Sequence, residues 1–241
     1  MPVLYLQGKS LRKSIPKLPE AKGPEGQAGK QANLKKIILV GESTIAGVGV
    51  PTHQEGFAGE LASALSKLTD NKISWKVYAK SGYTAKKVTA KILPKINEVN
   101  IDLIIVGLGG NDTFTLNKNW SKDIHLFVDN IQSKFPTCPK LFINLPPVDE
   151  FPALPGILKF CLDNHTDKLR KQLKEIVEES NNLYFLSDKL SVKAWTEKYN
   201  LENKSELYFS DGVHPSKLTY KLWAMSVAES ITELNLLQKP K

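Results

Sequence analysis

Cysteine is scarce. Cys138 and Cys161 are the only two in 241 residues, and they form no CxxC pair. That spacing excludes a disulfide framework and a thiolate metal set, and two lone thiols suit a reducing compartment. Long apolar runs are missing too. No stretch approaches the length that spans a bilayer. The opening "MPVLYLQGKS" lacks a basic segment followed by a long apolar one, so no signal peptide is read. These absences lead us to expect a cytoplasmic protein without stable membrane insertion.

Several catalytic signatures are also lacking. There is no GxSxG, so the α/β-hydrolase nucleophile turn is not supported. "GPEGQAGKQ" resembles a phosphate-binding loop only superficially. Its spacing is one residue too long, Gln31 stands where Ser or Thr is required, and no strand is read before it. No metal-ligand cluster has sensible spacing. We therefore expect neither a metal nor a cofactor.

Charge is unevenly placed. The net charge is +8, yet eight basic residues and two acids fall within the first 36 residues, so the remainder is nearly neutral. A basic leader attracts anionic surfaces in principle. No aromatic residues interleave with these lysines as they do in single-strand nucleic-acid platforms, so no nucleic-acid partner is expected. Residues 7–34, rich in Lys, Gly, Pro and Gln, read as an arm or linker held by contacts. "VLYL" (Val3 to Leu6) is an apolar patch able to dock on the body or on a second subunit, which leaves an oligomer through the arm open. The chain thus divides into an N-terminal arm, 1–34, and one folded domain, 35–241.

From Lys35 onward strands and helices alternate. "KIILVG", "ISWKVYA", "IDLIIVGLG", "KLFINLP" and "LYFLS" read as five apolar strands. "EGFAGELASALSKL" carries Phe57, Leu61, Leu65 and Leu68 at helical spacing. Further helices are read at "TAKKVTAKILPKI", "KDIHLFVDNIQSKF", "HTDKLRKQLKEIVEES" and "SKLTYKLWAMSVAESITEL". Near-continuous apolar strands are covered on both faces. The pattern predicts an α/β fold: a three-layer α/β/α sandwich around a five-stranded parallel sheet, flavodoxin-like in plan. Such folds bind ligands beyond the carboxyl ends of the strands.

Chemistry-bearing residues stand at those ends. "GEST" follows the first strand, "AKSGYTA" the second and "GGND" the third, while "SDGVHPS" lies beyond the fifth. A serine, a glycine, an asparagine and a histidine are thereby brought to one rim. Over roughly residues 37–230 these four blocks, in order, resemble the SGNH hydrolases, the GDSL esterase/lipase family. "PPVDEFPALP" resembles a loop of a bacterial esterase branch. The one departure is Glu42, where that family usually has Asp.

A serine hydroxyl needs a neighbouring base to become a nucleophile. His214 has Asp211 three residues upstream, and Pro215 and Ser216 favour an extended residue followed by a helix cap. His53, His125 and His165 read as packed or solvated side chains. The resemblance implies a triad of Ser43, His214 and Asp211. It also implies an oxyanion hole from the backbone N–H groups of Ser43 and Gly82 and the side-chain amide of Asn111. Phe114, Leu116, Phe151 and Leu154 are candidates for an apolar acyl pocket, with Ile157, Leu158 and Phe160 nearby. The fifteen-residue stretch after the fourth strand reads as a long loop, a feature that is often functional. The expected function is hydrolysis of small carboxylic esters with short or medium acyl chains. The alternative is a non-catalytic binding protein on the same fold that uses its basic arm on anionic surfaces.

Overall fold

The computed structural model describes residues 16–238. The apolar patch Val3 to Leu6, and with it any subunit contact through that patch, lies outside the described residues. In chain order the elements are β1 (Glu25–Ala28), β2 (Leu34–Gly41), α1 (Phe57–Thr69), β3 (Lys72–Ala79), α2 (Ala85–Lys91), β4 (Leu103–Gly107) and α3 (Gly110–Phe114). There follow α4 (Trp120–Lys134), β5 (Lys140–Phe142), α5 (Gly156–Glu178), β6 (Leu183–Phe185), α6 (Val192–Tyr199) and α7 (Lys217–Glu233).

Strand β2 shows why three layers form. Ile37, Ile38, Leu39 and Val40 are each no more than 2 % exposed. Successive side chains on a strand point to opposite faces. Ile37 and Leu39 accordingly join the core beneath α1 and α7, while Ile38 and Val40 join the core beneath α2 and α4. Helix α5 serves both sides: Leu158 and Leu162 belong to the first core, Leu169, Leu173 and Ile176 to the second.

The strand order is β1-β3-β2-β4-β5-β6. Strands β3, β2, β4, β5 and β6 pair in parallel, and β1 pairs antiparallel with β3. The sheet is therefore six-stranded and mixed, which corrects the expectation of a five-stranded parallel sheet. The extra strand comes from "EGQA", in the stretch that reads as a linker. Gly26 sits opposite Trp75, and a Cβ there would lie 2.5 Å from the indole. The glycine that erases the strand signal is what lets the backbone lie flat against a large ring.

The segment leading into β1 is tied down as well. Ala21 N–H donates to the Ala46 carbonyl at 3.0 Å and Lys22 N–H to the Pro51 carbonyl at 3.0 Å. Glu20 accepts from Ser81 N–H at 2.7 Å and from Lys80 Nζ at 2.9 Å.

The stretch after β5 is shorter than its reading as a long loop. Helix α5 begins at Gly156, ten residues before "TDKLRKQ", after the short turn Val148–Glu150. Ile157 and Phe160 consequently lie on the outward side of a helix, 70 % and 71 % exposed.

Candidate active site

Strand β2 ends at Gly41 because the backbones pinch together there. A Cβ on Gly41 would lie 2.4 Å from the Gly107 carbonyl oxygen and 2.6 Å from Ile45 Cγ1. Glu42 N–H then donates to Gly107 O at 3.2 Å, and the chain leaves the sheet with Ser43. Ser43 is half-buried and lines a cavity of about 1120 Å³ at the carboxyl rim of the sheet. Neither its backbone N–H nor its hydroxyl has a hydrogen-bond partner among the described residues.

Gly82 follows β3 on an adjacent loop and lines the same cavity. Its φ of +77° is in the left-handed region, and a Cβ there would touch nothing within 4 Å. Backbone conformation, not crowding by the protein, demands glycine here. The Gly82 N–H is likewise without an acceptor among the described residues. The loop is held by Glu20 through Ser81 and by Lys80 N–H on the Gly41 carbonyl at 3.3 Å.

Asn111 is the second residue of the short helix α3. Its backbone N–H donates to Glu42 Oε2 at 3.0 Å, and its Nδ2 donates to the same oxygen at 2.8 Å and to the Tyr83 carbonyl at 3.1 Å. Gly110 N–H donates to Glu42 Oε1 at 2.5 Å. An amide has two N–H donors, and both of Asn111's already have acceptors. Glu42 is buried at 6 % exposure and joins the first and third blocks. Burial pushes its pKa up to about 7, with the nearby Asp112 adding to the rise, against the opposing hydrogen bonds from Asn111 and Gly110. In sequence Glu42 stands out only as a departure from the Asp usual in the resembled family. Its function as the hub between Ser43 and Asn111 was missed because their separation in sequence is 68 residues.

Asp211 and His214 form a compact unit. Asp211 Oδ2 lies 2.7 Å from His214 Nδ1, and Oδ1 accepts from the backbone N–H groups of His214 at 2.7 Å and Val213 at 3.0 Å. The Asp211 side chain is fully buried, and the His214 ring is 22 % exposed. Burial raises the Asp211 pKa, but the hydrogen bonds from His214 and Val213 outweigh it and leave the carboxyl below its ordinary value. A proton on Nδ1 bonded to that carboxylate leaves Nε2 as an acceptor. Ser216 caps α7 through Thr219 N–H at 3.3 Å. Tyr220 OH donates to Val48 O at 2.7 Å, pinning the histidine loop to the serine loop.

The structure brings Ser43, Gly82, Asn111 and His214 to one cavity, with Asp211 behind the histidine. The other histidines sit apart. His53 packs 6.3 Å from Trp75, and His125 Nδ1 contacts the Ser121 carbonyl at 2.7 Å. His165 lies on α5 outside the cavity lining. Phe114, Leu116 and Phe151 line the cavity, and Phe151 packs against Phe209 at 5.4 Å. Leu154 does not: it is buried in the core.

Several wall residues were not legible in sequence. Leu190, Val192, Trp195 and Trp223 come from β6's exit, α6 and α7. An apolar residue on such a helix reads equally as core. Among the described residues no cluster of His, Cys, Asp and Glu is placed to hold a metal ion, and no helix is long and apolar enough to cross a membrane.

Comparison with known proteins follows the same outline. Residues 39–222 match the model of the GDSL-like lipase/acylhydrolase family. Among solved structures, the lipase Lip_vut3 from a goat rumen metagenome is 19 % identical with a TM-score of 0.59, covering 81 % of this chain and 97 % of that one. A Clostridium thermocellum family 3 carbohydrate esterase is 20 % identical with a TM-score of 0.59, covering 84 % and 97 %. TesA is 16 % identical with a TM-score of 0.60, covering 83 % and 99 %. At these identities the likeness is one of fold. No curated protein sequence matches significantly.

Proposed function

The chain belongs to the GDSL-like lipase/acylhydrolase family, a family of carboxylic ester hydrolases, and from that premise we propose that it cleaves small esters through an acyl-enzyme on Ser43. The observation that carries this reading is His214, backed by the buried Asp211 carboxylate, opening onto the same cavity as a Ser43 hydroxyl without a partner among the described residues.

In this mechanism His214 Nε2 takes the Ser43 proton as Oγ adds to the ester carbonyl. Asp211 holds the ring by Nδ1 and offsets the imidazolium charge. His214 then delivers the proton to the alcohol oxygen as the C–O bond breaks. Water, deprotonated by the same nitrogen, attacks the acyl-enzyme, and the acid leaves as Ser43 recovers its proton. The developing oxyanion is met by the backbone N–H groups of Ser43 and Gly82. Asn111 joins them by sharing the amide hydrogen it gives to Tyr83, the longer of its two bonds.

The apolar walls favour a hydrocarbon acyl group, and the cavity volume is slightly above the usual range for small-molecule sites. Short and medium acyl chains fit this reading. The free thiols of Cys138 and Cys161 support a reducing, cytoplasmic setting, and the "PPVDEFPALP" stretch supports the bacterial esterase branch. The test is a panel of chromogenic esters varying in acyl length, together with a fluorophosphonate probe and mapping of the labelled peptide. Hydrolysis with labelling at Ser43 is expected. Hydrolysis with Ser43 unlabelled and replaceable would sink the mechanism.

A further inference from the structure

The cavity is chemically lopsided. Toward β5 and β6 its walls are hydrocarbon: Phe151, Leu158, Leu162, Val192, Trp195 and Trp223. Toward β3 the lining is Gly82 and Lys87. Gly82 is exposed, so this end stays open to water. Ser43 follows β2, between these two ends in the strand order. An ester centred on Ser43 would therefore have the apolar chamber on one side and Lys87 on the other.

Lys87 is the only Lys or Arg among the lining residues. Lys87 is exposed on α2, and its ammonium stands 5.9 Å from the Tyr83 ring centroid. No carboxylate pairs with it among the described residues, whereas Lys80, in the loop that leads into α2, is held by Glu20 at 2.9 Å. The helix reinforces it: Lys86 and Lys91 accompany Lys87 on α2, which carries no acidic residue. A cation at the mouth of a low-dielectric cleft concentrates anions there. The one acid among the lining residues, Glu42, is buried and committed to Gly110 and Asn111, so it does not neutralise Lys87.

We propose that Lys87 is a specificity residue, selecting esters of an apolar acid whose alcohol portion carries an anionic group such as a carboxylate, sulfate or phosphate. The hydrocarbon acyl arm occupies the chamber between β5 and β6. The charged alcohol lies at the open Lys87 end, from which it departs to solvent once cleaved. This inference rests on the ester-hydrolase reading above.

The experiment compares two chromogenic octanoates, one of para-nitrophenol and one of a nitrophenol bearing a ring carboxylate. The anionic-to-neutral ratio of kcat/KM is measured for the full chain and for Lys87→Ala, Lys87→Glu and Lys87→Arg. Taking ratios between proteins cancels the intrinsic reactivity of each ester. Lys87→Ala should lower the ratio roughly five-fold, the effect of one unit charge near contact in a watery mouth, and Lys87→Glu should lower it further. Lys87→Arg should preserve it, and raising the salt from about 0.05 to about 0.5 M should shrink the wild-type preference. A ratio that is unchanged by both Lys87→Ala and Lys87→Glu, with active protein, overturns the inference alone. So does an equal loss on both esters. A protein that hydrolyses neither ester and resists the fluorophosphonate overturns the ester-hydrolase reading, and this inference falls with it.

Discussion

Glu42 Oε2 accepts both the backbone N–H and the side-chain amide of Asn111, at 3.0 and 2.8 Å. One buried oxygen thus sets the position and the rotamer of a residue expected at the oxyanion. Removing it leaves buried donors unsatisfied, at about 1–3 kcal/mol each. Glu42→Ala should lose several-fold or more in kcat with a smaller change in KM, and it should unfold at lower urea. Steady-state kinetics beside urea melts check this. A stable variant with wild-type kcat would remove Glu42 from the positioning role.

The same carboxyl makes stability depend on pH. Its folded pKa, about 7, lies above the ordinary 4.5 because of burial. Between those values the folded state binds more protons than the unfolded state, so stability falls as pH rises. The contribution is fully present below about 4.5 and lost as pH passes 7. At 1.36 kcal/mol per unit, the loss is on the order of 3 kcal/mol. Asp112 is also raised by burial, so the comparison should be with Glu42→Gln, in which Asp112 remains. Denaturant midpoints at mildly acid and mildly basic pH should fall more steeply in the wild type than in that variant.

Asp211 behaves oppositely. Its hydrogen bonds from His214 and Val213 depress its pKa despite burial. Its stabilising contribution is present above the ordinary value and is lost only as pH falls through the depressed one. Asp211→Asn should flatten that acid limb. It should also cut kcat by about 10⁴, since an amide favours the wrong imidazole tautomer. Kinetics with short acyl esters would show it. A loss under ten-fold would demote Asp211 to a structural turn residue.

Glu20 reaches from the segment before β1 to Ser81 N–H at 2.7 Å, one residue before Gly82. Glu20→Ala should loosen that loop and lower kcat by about ten-fold, short of the 10²–10³ that follows complete loss of an oxyanion donor. Glu20→Gln, which keeps an acceptor oxygen, should recover most of it. Equal activity in all three proteins would show that the loop holds itself.

Gly41 tolerates no side chain, for a Cβ would press on the Gly107 carbonyl at 2.4 Å. Gly41→Ala must spread β2 from β4 and should cost a few kcal/mol. Gly82→Ala meets no such wall, and its left-handed backbone costs only about 1–2 kcal/mol. Paired melts of the two variants should show the larger drop for Gly41→Ala.

The amino-acid sequence by itself determined the alternation of apolar strands and amphipathic helices, and with it five of the sheet's six strands and their helical covers. Those patterns are local, because period and burial are written into neighbouring residues. It also placed Ser43, Gly82 and Asn111 at strand exits, because loops there follow directly from where the apolar runs stop, and it paired His214 with Asp211 in the turn before the last helix. Only tertiary structure decided the rest. Strand β1 has no apolar signature and exists because Trp75 offers it a surface. Helix α5 starts early, since Leu158 and Leu162 find a core that the preceding prolines conceal. Trp195 and Trp223 became cavity walls, and Leu154 became core, through packing between distant elements. Glu42 moved from a turn residue to a hub for the same reason: its partners are fixed by the adjacency of β2 and β4, a contact no short stretch of sequence can express.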